Sequence, residues 1–323
     1  QNFDVELSSG KTVLAVRFDP DDAVYKGTVT AAAGATQPTL LSALADDEGK
    51  TTARWNTSAG SGEGFELFAS ESANLWERIA SYDILTSSFR QVSVSIGSGS
   101  RFVRVRGAAD DLIPSPFSDV YAARVADSPD ASRVLVIDGF DRVTPATTPN
   151  HAFAGDHGEA LSTLGIAFDT VANELVIDET VALGDYDAVV WVLGEESTAD
   201  RSFDPSEQAY VRSYLQNGGK LFVTGAEIGW DLGREGFGND SVGFYNQYLK
   251  ANYVADDSED YSVDGTAGGP FAGLAFDFDD GSAGIYRAEW PDLVSPADGG
   301  TSVLQYSGGG TAGVAYTGLF PFG

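Results

Sequence analysis

The chain has no cysteine and no methionine, and only two histidines and five lysines among its 323 residues. Without thiols there is no disulfide framework, no cysteine nucleophile and no thiolate metal site. No run of about 18 apolar residues occurs, so no membrane-spanning helix is expected. No G-x-G-x-x-G or Walker sequence follows a strand-like run, which removes the usual nucleotide cradles. H-E-x-x-H and G-x-S-x-G are also missing, so zinc-protease and serine-hydrolase chemistry have no motif to rest on. No leader-like segment is present. A start at Gln1 and an end on "GLFPFG" suggest a processed piece of a longer polypeptide, whose other domains would be its first partners.

Acid is what the chain has in excess. Forty-eight Asp and Glu stand against 19 Lys and Arg, for a net charge of −29. Such a field repels nucleic acid and anionic membrane. Two readings of the acidity stand side by side: a solubility adaptation relieved by salt, or cation binding. The charge is uneven. Residues 1–130 hold 18 acids and 11 bases, whereas residues 131–323 hold 30 acids and 8 bases. The step coincides with "VADSPDAS", a Pro/Asp/Ser stretch of the kind that links domains. A hydrophobic fraction of 42% is ample for packed cores on either side of it.

From Thr36 to Val125 the pattern is one of short alternating segments with turn residues between them. "TTARWNTS" sets Ala53, Trp55 and Thr57 on one face. "RFVRVRG" opposes Phe102, Val103 and Val105 to Arg101, Arg104 and Arg106. Strands punctuated this often predict a β-sandwich. On "TTARWNTS", "GFELFAS", "RFVRVRG" and "SPFSDVYAARV", residues 36–127 resemble a fibronectin type III module, with Trp55 as its buried second-strand tryptophan. That resemblance implies a spacer or adhesive module. Residues 1–35 look like the end of a preceding β-domain or linker strands.

Beyond residue 131 the period changes. Apolar runs at Val134–Ile137, Ala188–Leu193 and Leu221–Thr224 alternate with helical stretches. One helix is framed by Asp204 as cap, Pro205 in the first turn, Glu207 completing a capping box and Gly218-Gly219 as the stop. Another is expected at "HGEALSTLG", with Ala160, Leu161 and Leu164 as its apolar stripe and His157 at its start. Buried strands alternating with helices predict an α/β doubly wound parallel sheet. The fold class is thus mixed: a β-sandwich followed by that sheet over residues 131–323. "TSVLQYS" and "AGVAYTG" read as strands extending its edge.

This half, on "VLVIDGFDR", "WVLGEESTAD", "YLQNGGKLFVTGAEIGWDL", "FYNQYLKANYVADD" and "FAGL", resembles the class I glutamine amidotransferase-like, flavodoxin-like domains of secreted bacterial xanthan-lyase-like and amidase-associated proteins. The resemblance implies export to the cell surface or outside the cell, and a C-terminus completed by further chain. It also implies a nucleophile elbow at "VTGAEIG", where this sequence has Glu227 in place of cysteine.

Ligands of open parallel sheets bind beyond the carboxyl ends of the strands. Those ends are acidic here: Asp138, then Glu195 and Glu196, then Glu227 and Asp231. Glu227, Glu195, Glu196 and Asp231 are the catalytic candidates, since two carboxylates in one cleft can run glycoside hydrolysis. The opposing expectation is that these acids organise turns. Asp138, His157 and Trp230 are the binding candidates, Trp230 as a platform for sugars and His157 as a metal ligand with Asp138 or Glu227. After Glu227 the Gly-rich "WDLGREGFGND" predicts a loop, with the next helix only near Asp240. Asp277, Asp279 and Asp280 in "DFDDG" are the calcium candidates, although the glycine falls one place early for an EF-hand loop. No other cofactor is expected. Two functions follow: a binding, display or assembly region with a silent domain, its partner a cell-surface glycan or protein assembly, or a carbohydrate- or peptidoglycan-active enzyme.

Overall fold

The computed structural model describes residues 35–46, 49–56, 64–72, 75–82, 91–95, 99–108, 114–128, 130–141, 153–234, 236, 239–278 and 288–320. The strands expected within residues 1–34 lie outside the described residues. Seven strands come first: β1 (Thr39–Ala45), β2 (Lys50–Asn56), β3 (Gly64–Ser70), β4 (Glu77–Tyr82), β5 (Gln91–Ser95), β6 (Ser100–Ala108) and β7 (Tyr121–Arg124). They pair antiparallel in two sets, β1–β2–β5 and β4–β3–β6–β7. Alternation drives the layering. Phe102, Val103 and Val105 of β6 are buried, and Trp55 of β2 meets Phe65 of β3 edge to face at 5.7 Å. The β6 arginines lie outward. Arg106 and Arg78 share Glu66, and Arg104 stacks on Trp76 and Phe117.

Next come β8 (Arg133–Asp138), α1 (Phe153–Thr163), β9 (Ala167–Ala172), α2 (Glu174–Ile177), β10 (Ala188–Gly194), α3 (Pro205–Gln216), β11 (Leu221–Gly225), α4 (Ile228–Leu232) and α5 (Asn239–Gln247). The four strands run parallel in the order β11-β10-β8-β9. The α3 caps follow the sequence closely: Glu207 N–H donates to Asp204, and Asp204 N–H donates back to the Glu207 carboxylate. Helix α1 differs from expectation. It begins at Phe153, so His157 lies one turn inside rather than at its start. Its buried face is Ala154, Gly155 and Gly158, while Leu164 is exposed. Gly155 and Gly158 let the helix backbone approach Val120, Ala122 and Phe168 so closely that even a β-carbon would be crowded. Contact of small residues, with Leu161 packed partly buried against the same core, therefore sets this helix down.

The remaining strands are β12 (Ala251–Ala255), β13 (Ser262–Gly265), β14 (Ala275–Asp277), β15 (Leu293–Pro296), β16 (Thr301–Tyr306) and β17 (Thr311–Ala315). They do not extend the parallel sheet. They form a second, antiparallel sheet in the order β12-β15-β17-β16-β13-β14, because each pairs with a neighbour running the opposite way. Helices are few and short beside this much strand, and among the described residues none is long and apolar enough to cross a membrane.

The two halves of the chain share one sheet. On one side β9 pairs with β8; on the other it pairs antiparallel with both β1 and β7. All six residues of β9 are buried. Asp169 on β9 accepts the Ala45 N–H at 2.6 Å and the Tyr186 hydroxyl at 2.8 Å, and it pairs with Arg133 at 2.6 Å. One apolar cluster runs from Trp55, Phe65 and Phe102 into Val134, Val136, Phe168 and Val192. A second, on the opposite face of β8 and β10, joins Ile137, Trp191 and Leu193 to Phe203, Val211 and Phe244. Replacing Trp55 by alanine should cost about 3–5 kcal/mol in urea unfolding. Because the core is shared, that substitution should also lower hydrogen-exchange protection of the β8 and β10 amides.

Candidate functional site

The strand order reverses between β8 and β10, the position at which open parallel sheets bind ligands. Here that crevice is filled from within. Phe140, two residues past β8, is buried and stacks on Phe153. Its ring lies over Gly194 at the end of β10, where any β-carbon would overlap it. Gly194 also has φ +52°, so glycine suits this position twice over. Gly139 N–H donates to Val192 O at 2.9 Å and ties the two strand ends together. Asp138 accepts from the Tyr121 hydroxyl at 3.0 Å. Burial, and then the nearby Asp119, push its carboxyl well above the ordinary carboxylate range.

The four catalytic candidates sit at neighbouring strand ends, all out of water. Glu195, Glu196, Glu227 and Asp231 are 4%, 1%, 7% and 4% exposed. Glu195 accepts the Glu289 N–H at 2.7 Å, and Asp231 accepts the Ser202 N–H at 2.8 Å. Glu196 N–H closes its own turn onto Leu193 O at 2.8 Å.

The stretch after Glu227 differs from the expected loop. Helix α4 follows the strand-end turn directly, burying Leu232 toward the second core cluster. Its first amides are met from outside by Asp292, whose carboxylate accepts Gly229 N–H at 2.7 Å and Trp230 N–H at 3.0 Å. A nucleophile elbow reserves such amides for a developing oxyanion; here the side chain of the residue just before β15 occupies them. Asp292 N–H in turn donates to Ala226 O at 3.0 Å, and Tyr306 donates its hydroxyl to Asp292 O at 3.0 Å. Glu227 itself has φ −113° and ψ 26°, which is not the strained backbone of an elbow nucleophile. Asp292 is a residue that sequence reasoning missed. It lies far along the chain in "WPDLV", and nothing local marks it as a partner of the turn.

Of the binding candidates, His157 is half-buried on α1, 6.5 Å from the Phe222 ring, and burial lowers its proton affinity. Among the described residues no group of three Asp, Glu or His is arranged to hold a metal ion. Trp230 is half-buried, with the Arg234 guanidinium 3.2 Å above its ring. Asp277 is exposed and accepts the Ser262 hydroxyl; Asp279 and Asp280 lie outside the described residues.

No family model matches the chain, and no curated protein matches it. Among solved structures, a β-1,2-glucanase from Parabacteroides distasonis shares 13% identity over 31% of this chain and 14% of its own, with a TM-score of 0.27. A pectate lyase from Erwinia chrysanthemi in complex with tetragalacturonic acid shares 20% identity over 32% of this chain and 34% of its own, at 0.23. The fibronectin type III domain of a human fibronectin type III domain containing protein shares 15% identity over 32% of this chain and 97% of its own, at 0.25. These likenesses are weak and partial, and they bear on no activity of this chain.

Two buried carboxyls carry a consequence for pH. Burial raises Asp292 to about 7, with Glu227 and Asp256 adding to it and the two amides opposing. Burial likewise raises Glu207 to about 7 against its bonds from Asp204 N–H and Asn173. A carboxyl raised in the folded state binds its proton there when the unfolded chain has already released it. Stability is then full below the ordinary carboxylate range and lost as pH rises through about 7. A tenfold change in proton affinity is worth about 1.4 kcal/mol, so the protein should be more stable near pH 5 than near pH 8 by on the order of a few kcal/mol. Urea unfolding across that range should show the slope, and Asp292→Asn should reduce it, leaving the share that Glu207 carries.

Proposed function

We propose that this is a secreted or cell-surface bacterial accessory region, acting in binding, display or assembly. In this reading a fibronectin type III-like module is followed by a doubly wound, amidotransferase-like domain that performs no chemistry. The observation that carries it is the burial of Glu195, Glu196, Glu227 and Asp231. A glycosidase needs two carboxylates about 5–10 Å apart, open to one sugar-binding cleft. These carboxylates instead face the interior, with Glu195 and Asp231 accepting backbone N–H groups. Phe140 in the strand-end crevice and Asp292 on the α4 amides support the same reading, since each fills a place where a substrate would enter. Calcium bound near Asp277, Asp279 and Asp280 would serve stability at the surface, not catalysis. The −29 charge suits an exported protein in a salty medium, where screening relieves self-repulsion.

The experiment is a turnover screen on plant, microbial and peptidoglycan oligosaccharides with the wild type and Glu227→Gln. No turnover by either protein is expected. Hydrolysis by the wild type that Glu227→Gln abolishes while keeping its fold would overturn the proposal in favour of an acid-pair enzyme.

A further inference from the structure

Two strand edges of opposite charge lie open. Among the described residues β4 pairs with β3 alone and closes one end of the large sheet, and β14 pairs with β13 alone and closes one end of the antiparallel sheet. An unpaired edge presents N–H and C=O groups that another strand can take up. Around β4 the surface is apolar and cationic. Leu75 and Ile79 are exposed beside Arg78. Arg78 and Arg104 both lie opposite Phe68, and Arg106 lies opposite Glu66. Among the described residues Glu66 is the one carboxylate bonded to these three arginines, through Arg78 and Arg106. Arg104 is held by rings instead, 4.1 Å from the centre of Trp76 and 3.9 Å from that of Phe117. Glu77 lies opposite Ala69 and so alternates to the other face. The group is a positive island in a chain of net charge −29.

The β14 edge is its counterpart. All three residues of β14 are exposed, as is Leu274 before it. Leu274 and Phe276 give it apolar surface. Asp277 and the exposed Asp264, which lies opposite Ala275, put two carboxylates on one face of the β13–β14 pair. The Ser262 and Ser307 hydroxyls donate to them, which orders the carboxylates and leaves their charge. Among the described residues no Lys or Arg pairs with either. Like charges set opposite each other destabilise a strand pair, and opposite charges favour it. That rule works against β4 on β4 and against β14 on β14, and leaves β4 on β14. We propose that β4 of one copy of this chain pairs with β14 of the next, joining copies head to tail. The contact brings Arg78 to Asp264 and Asp277, and the exposed Leu75 and Ile79 to Leu274 and Phe276. Since the two edges are different surfaces, each added copy leaves one of each free, and the assembly grows beyond a dimer. Two chains at −29 repel as wholes, but at physiological salt that repulsion is screened beyond about 8 Å, while groups in contact are screened far less. The proposal rests on the assembly role argued above and names the partner for it, a second copy of this chain.

The test is sedimentation velocity of the whole chain over a concentration series at about 0.01 and 0.15 M NaCl. Species that grow past the dimer with concentration are expected at the higher salt, with less association at the lower. Arg78→Gln combined with Arg104→Gln should weaken association by about tenfold, the worth of two surface charge contacts. Phe276→Lys, which sets a cation on the facing edge, should abolish it. At a concentration where each variant alone is monomeric, their equimolar mixture should form dimers that grow no further, since each chain keeps one intact edge. If Arg104→Gln proves unfolded by circular dichroism, Arg78→Gln alone takes its place, with a loss of about threefold. A wild type that stays monomeric at both salts or stops at a dimer would overturn the pairing. So would folded variants that associate as the wild type does, or a mixture that stays monomeric. None of those results touches the non-catalytic reading, which falls only on turnover.

Discussion

A carboxylate taken out of water must be met by donors or give up its charge, and this fold depends on that constraint more than on any other. Among the described residues nine Asp and Glu side chains are buried, against a single buried base, Lys250. Arginine meets only some of them, through Arg133 at Asp169 and the Arg78–Arg106 pair at Glu66. Elsewhere backbone amides, hydroxyls and the Asn173 carboxamide donate, and several of these bonds join parts of the chain that would otherwise only touch. Asp169 fastens β9 to the end of β1. Tyr121 on β7 reaches Asp138 at the end of β8. Asp292 fastens the antiparallel sheet to α4, and Glu195 reaches Glu289. The acids act as internal fasteners at the seams between elements.

That role explains why the strand ends look like an active site without the openness of one. Parallel strands bring their carboxyl ends together, and the loops leaving them need acceptors for amide groups that no ladder satisfies. Aspartate and glutamate supply those acceptors at short range. The same residue types in the same place would serve catalysis if they faced solvent. Burial marks the first case here: an acceptor bonded to Ser202 N–H or Glu289 N–H is held by the fold.

Much of the architecture was legible because local rules carry it. The α3 boundaries follow from Asp204, Pro205, Glu207 and Gly218, whose effects reach only a few residues along the chain. Trp55 and the alternating β6 residues announced a sandwich core in the same way. What could not be read was set by contacts between distant parts of the sequence. The pairing of β9 with β1 joins Ser42 to Val171, and its pairing with β7 joins Arg124 to Phe168. The leucines of α1 mark a helix, and Leu161 does pack, yet the close approach is decided by glycines whose value shows only against Phe168 and Val120. Helix α4 was hidden in a Gly-rich stretch because the acid that caps it, Asp292, lies sixty residues on. The strand-end acids read as catalytic candidates or turn organisers, since nothing local tells a buried carboxylate from one open to a substrate.

The most direct measurement is the stability of Glu195→Ala and Asp231→Ala relative to the wild type by urea unfolding. If these carboxylates hold the fold, each substitution strands a buried amide and should cost about 1–3 kcal/mol. A variant as stable as the wild type, or more stable, would contradict the account. That is the behaviour of a carboxylate kept for chemistry at the expense of stability.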